Sequence, residues 1–144
     1  MSEQQFRQTM SAIDLSRAQL DNVARQQEIV RTSIEEHLRA KEALAQYSKT
    51  AENEELLIPV GAGVFVHAKA GNRKSCVTSI GAGVLIEKNI EETEKLLDGR
   101  IEELKKASRE LDEQAEKITY AIEQLSKEAR EQYEALQRPA QGTP

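Results

Sequence analysis

Tryptophan is absent, and aromatic residues make up only 3% of the 144-residue chain. A compact core draws on large apolar side chains, so much of the apolar surface here must be buried between helices or between subunits. There is one cysteine, Cys76, in an apolar run, so no internal disulfide can form and the residue reads as a small buried side chain. No glycine or proline occurs before Pro59, so nothing interrupts a helix in that stretch. No 18-residue apolar span occurs, and the first residues lack a signal-type apolar run. A soluble, intracellular, cytoplasmic protein without a membrane partner is therefore expected. The net charge is −5, and the most basic segment, residues 54–86, reaches only +1. No basic stripe exists, which argues against nucleic acid as a partner. The two histidines, His37 and His67, lie in different segments, far from any cluster of metal-ligand or triad type. No enzyme activity, metal or cofactor is expected.

Charged residues, by contrast, make up 31% of the chain, and Ala, Glu, Lys, Leu, Arg and Gln dominate both flanks, as in long helices and coiled coils. Residues 2–49 read as a first coiled-coil helix. Ser2 with Gln5 fits a capping box. Phe6, Met10, Ile13, Leu20, Val23, Val30, Ile34, Leu38 and Leu44 recur at steps of three and four, a narrow seam. Gln27, Lys41 and either His37 or Leu38 fall at seam positions, where polar groups weaken packing but can fix register. Glu3–Arg7, Asp21–Arg25 and Glu35–Arg39 are spaced to support the helix. Residues 89–138 read as the second helix, with Asn89 and Glu92 at its start. Its seam runs from Ile90 through Leu97, Ile101, Leu111, Ile118 and Leu125 to Leu136, alternating steps of four and three without a skip. Gly99 is a candidate bend, Arg138-Pro139 ends the helix, and residues 139–144 read as a flexible tail.

Between the arms, residues 55–88 change period from helical to strand-like and turn β-branched. Val60-Gly-Ala-Gly-Val-Phe-Val66 returns as Ile80-Gly-Ala-Gly-Val-Leu-Ile86. Glycine reaches the positive φ that tight turns require. Two arrangements fit: tandem hairpins, roughly 56–69 and 74–87, or one main reversal at Gly71-Asn72 with the Gly-Ala-Gly segments as bulges. Neither Gly-Ala-Gly segment leads into a helix, as a phosphate-binding loop would. Small sheets of this kind are marginal alone and have free edges, so strands from several subunits must join. An obligate oligomer follows.

The fold class is therefore α+β: a long antiparallel coiled coil whose helices are joined by two hairpins that join those of other subunits in a shared sheet or β-barrel in an oligomer. Each arm is expected to span about 65–70 Å, at about 1.5 Å per residue, with both chain ends far from the strands. Phe6, Met10 and Ile13 then meet Tyr133 and Leu136 at a tip. A two-helix tip cannot enclose large side chains on all sides, so this end is a candidate surface for holding apolar, non-native chains.

The whole pattern resembles the prefoldin family, alpha class, in its archaeal form. The resemblance covers nearly the whole chain as one domain, 1–144, and rests most specifically on Leu57-Ile58-Pro59-Val60-Gly61-Ala62-Gly63 and on the stretch from Ser79 to Asn89. Two hairpins, where beta-class subunits have one, indicate the alpha class. The resemblance implies a heterohexamer of two alpha and four beta subunits, with a double β-barrel body and six coiled-coil tentacles. It implies an ATP-independent chaperone that takes unfolded polypeptides at the tips and passes them to a group II chaperonin. On this basis Val60, Val64, Phe65, Val66, Ile80, Val84, Leu85 and Ile86 are interface residues, and Phe6, Met10, Ile13, Tyr133 and Leu136 are tip residues named by position and hydrophobicity. The competing reading is a structural coiled-coil adaptor that oligomerises through its β centre and binds one folded partner.

Overall fold

A computed structural model describes residues 2–138; the proposed tail, 139–144, lies outside them. The elements run α1 (Glu3–Ser48), β1 (Glu55–Gly61), β2 (Val64–Lys69), β3 (Ser75–Gly81), β4 (Val84–Asn89) and α2 (Ile90–Gln137). Two long helices thus flank two hairpins. The chain divides into two compact units, one of residues up to Arg31 with those from Lys106 on, the other Thr32–Lys105.

The unit that holds the helix termini is an antiparallel helix pair. Its start is a reciprocal capping box: Gln5 N donates to Ser2 Oγ, and Ser2 N donates to Gln5 Oε1, each at 3.2 Å. Phe6 stacks obliquely on Tyr133, with ring centroids 5.9 Å apart. Gln27 Nε2 donates to Asp112 Oδ1 at 2.8 Å across the pair. Ile13, Val23, Leu111 and Ala129 are buried along the seam.

The register corrects one reading of the first arm. Met10 does not lie in the seam; Thr9 does, buried, with Oγ1 donating to Gln5 O at 3.0 Å. Counting back from Ile13 through the regular alternation gives position 9 and then Phe6. The same count settles the choice left open further along. His37 is half-buried in the seam, with Nδ1 2.6 Å from Ser33 O, and Leu38 stands exposed one position out. Of the ion pairs expected at four-residue spacing, only Glu3–Arg7 closes among the described residues, at 2.9 Å. The long, exposed partners of the others gain too little in water to hold one geometry.

In the second unit each hairpin is its own two-stranded antiparallel sheet. The reversal lies within each repeat, so the tandem arrangement holds. A bulge does occur, but beside the turn: the register shifts between Pro59 and Gly61 and again between Ser79 and Gly81. Ala62 and Gly63 have φ of 51° and 74°, and Ala82 and Gly83 have 51° and 75°. Positive φ at both central residues is the mirror-image turn that matches strand twist. The link between the hairpins is anchored. Gly71 N donates to Tyr47 Oη at 3.1 Å, Arg73 Nη1 to Thr50 O at 2.7 Å, and Ala70 N to Glu54 O at 2.9 Å. Lys41 of α1 pairs with Asp98 of α2. Asn89 Oδ1 caps α2 by accepting from Glu91 N at 2.7 Å, and the helix runs on through Gly99.

Alanine in the left-handed region costs about 1–2 kcal/mol, which asparagine largely avoids. Ala62→Asn and Ala82→Asn are therefore expected to stabilise the hairpins by about 1 kcal/mol each. Gly63→Val is expected to do the reverse. Amide exchange of the strand residues measures both.

Candidate functional site

Successive strand residues point to opposite faces, and Val64-Phe65-Val66 and Val84-Leu85-Ile86 are apolar at every position. Both faces of each hairpin are thus apolar, as in strands covered on two sides. Here that cover is largely missing, although the base of the second hairpin is packed, where Thr78 is buried beside Thr93 of α2 and Ile86 opposite it is half-buried. Val60, Phe65 and Leu85 are 60%, 56% and 63% exposed; Val64, Val66, Ile80 and Val84 are exposed too, and only Ile86 is half-buried. Leu57, Ile58 and Val77 extend the same surface, beyond the interface residues named from the sequence. Residues 56–66 and 76–86 contain no charged side chain at all. Contiguous apolar surface of this kind marks an interaction site.

Beside the strands runs an apolar groove of about 730 Å³. Ala43 and Leu44 of α1, Leu57 and Ile58 of β1, Val77 of β3 and Leu97 of α2 line it. On its floor three polar side chains satisfy one another. Thr93 Oγ1 donates to Asn89 O at 3.1 Å and accepts from Cys76 Sγ at 3.2 Å. With its proton so used, Thr93 accepts from Thr78 Oγ1, also at 3.2 Å. Cys76 is only half-buried, because it faces this groove. Its partner Thr93 could be found only once β3 and α2 were packed together. Arg100 Nη2 donates to Ser79 O at 3.3 Å and tethers the second hairpin to α2.

Among the tip residues, Phe6 and Tyr133 are brought together, and Tyr133 is 53% exposed. Met10 and Leu136 are also exposed. Ile13 differs, at 2% exposure; it is a packing residue beneath them. Among the described residues no three of His, Cys, Asp and Glu converge as metal ligands, and no helix is long and apolar enough to cross a membrane.

The family model for a prefoldin subunit matches residues 16–135. The chain belongs to the prefoldin family. The prefoldin subunit alpha of Methanothrix thermoacetophila is 31% identical over 109 residues, 76% of this chain and 71% of that one. The alpha type is thus the one this prefoldin resembles. Two solved prefoldin structures share the fold. One is a filamentous PFD from Methanocaldococcus jannaschii (TM-score 0.72, 22% identity, covering 82% of this chain and 98% of that one). The other is the prefoldin beta subunit from Thermococcus strain KS-1 (TM-score 0.59, 17% identity, 94% and 95%). The chain is a prefoldin-type chaperone subunit, in a family of chaperones rather than of enzymes.

Replacing Thr93 by valine keeps the shape of the groove floor but removes the acceptor that Thr78 and Cys76 share. A loss of about 1–3 kcal/mol is expected, read from the urea midpoint, with far less for Ser75→Ala at the exposed end of the same strand.

Proposed function

We propose that this chain is the alpha-type subunit of a heterohexamer of two alpha and four beta subunits. It acts as one prefoldin-like domain in the cytoplasm. Its hairpins join those of other subunits in a β-barrel body. Its helix pair holds unfolded polypeptides where the helix termini meet and, without ATP, passes them to a group II chaperonin. The observation that carries the reading is the pair of apolar hairpins that stand largely bare, with Val60, Val64, Phe65, Ile80, Val84 and Leu85 all exposed. A lone two-stranded sheet is marginal in water, and these lack both the cover and the edge partners that would keep one soluble. Phe6, Met10, Tyr133 and Leu136 are the proposed client contacts; Ile13, being buried, supports them from below. Flexible Met and partly open aromatic rings suit varied apolar clients, and several weak tips in one oligomer add avidity.

Two substitutions separate assembly from capture. Val64→Asp places a charge on the apolar strand surface, and sedimentation is expected to show the complex dispersed while circular dichroism keeps its helical signal. Phe6→Ser with Tyr133→Ser is expected to leave the complex intact, to remove the aromatic pair worth about 0.5–1.5 kcal/mol, and to abolish protection of several unrelated denatured proteins from aggregation without ATP. Undiminished protection by that double variant refutes capture at the tip. Protection of one folded partner alone would instead fit an adaptor.

A further inference from the structure

We infer that the contact between subunits does not stop at the strands: the groove beside β1 and β3 is the seat of an uncharged, apolar hairpin of a neighbouring prefoldin-type subunit, so that α1 and α2 belong to the assembly interface. The inference rests on the proposed joining of hairpins and extends it.

Continuity is the first ground. Leu57, Ile58 and Val77 line the groove and also belong to the bare apolar surface of the hairpins, so a neighbour that covers one reaches the other. Chemistry is the second. No charged residue lines the groove. Its polar floor is already satisfied, with Cys76 and Thr78 bonded to Thr93 and Thr93 to Asn89 O. Tyr47 Oη accepts from Gly71 N. A small-molecule site of this size offers convergent polar groups that fix the ligand; here Gln46 and Ser79 also line the groove, but the Cys76–Thr78–Thr93 cluster is already bonded and the rest of the lining is mainly apolar. What fits is an apolar surface that asks for no polar complement. The uncharged stretch 56–66 of this chain is the kind of segment required. Third, α1 contributes two small residues to the groove, Ala40 and Ala43, where a partner's backbone can approach closely.

Cys76, the sole cysteine, sits on the groove floor and reports on it directly. Its alkylation by a maleimide, followed by mass spectrometry of this chain, is compared between the complex with its partner subunits and the Val64→Asp chain. The expected result is a rate more than about tenfold slower in the complex, because thiol reactivity follows access. An equal rate overturns the inference. So does a rate that falls only when denatured client is added, since the groove would then be open to clients. A second variant, Ala43→Glu, alters no strand residue and keeps a good helix former. It is expected to disperse the complex as Val64→Asp does; an intact complex overturns the inference. An intact complex with Val64→Asp would instead overturn the joining of the hairpins, so the two failures are told apart.

Discussion

An apolar hairpin left largely bare cannot stand alone in water, and the rest of this chain is arranged round that fact. Each hairpin gains its internal ladder and a tight turn, yet leaves Val, Leu, Ile and Phe side chains open on both sides. Burial of apolar surface is the main favourable term in association. The repeat doubles the uncovered surface without adding a third layer inside the chain. What the chain supplies is a fixed frame: Tyr47, Arg73 and Arg100 bond to the backbone at Gly71, Thr50 and Ser79, so the loops and the second hairpin are held to the helices.

The helices solve a different problem. Their seam is thin and mixed, with Thr9, Gln27, His37 and Lys41 among its apolar residues. Such groups weaken the seam, and the two with a partner on the other helix, Gln27 and Lys41, penalise a slipped register. Gln27 meets Asp112, Lys41 meets Asp98, and Thr9 and His37 return to their own helix. Gln132 is the exception: its Oε1 is buried with no partner among the described residues.

Much of this was legible in the chain itself. Strict heptads reveal the second helix, and Val-Phe-Val and Val-Leu-Ile beside Gly-Ala-Gly reveal the hairpins, because period and turn chemistry are local properties. The choices between Thr9 and Met10, and between His37 and Leu38, were not legible from hydrophobicity. The more apolar residue lies outside the seam in both pairs, and only the register of the whole coiled coil decides. The groove was invisible for a further reason. Its lining is brought together from α1, β1, β3 and α2, and the alanines and threonines among it carry no sequence signal until the elements pack.

The two apolar surfaces differ in stiffness, and that difference fits what each is proposed to do. Val60, Val64, Val66, Ile80, Val84 and Ile86 are β-branched, and each is restricted at χ1. A surface of this kind loses little side-chain freedom on burial and tolerates few alternative packings, which suits one neighbour of fixed shape. Phe6, Met10, Tyr133 and Leu136 have longer or more mobile side chains on a helix pair near its termini. Met10 and Tyr133 each lie one step outside the seam, so neither is held by helix packing alone. Such groups can repack against many chains at a modest entropic cost for each. A single chain can thereby expose two apolar regions without confusing their partners, because rotamer freedom separates them.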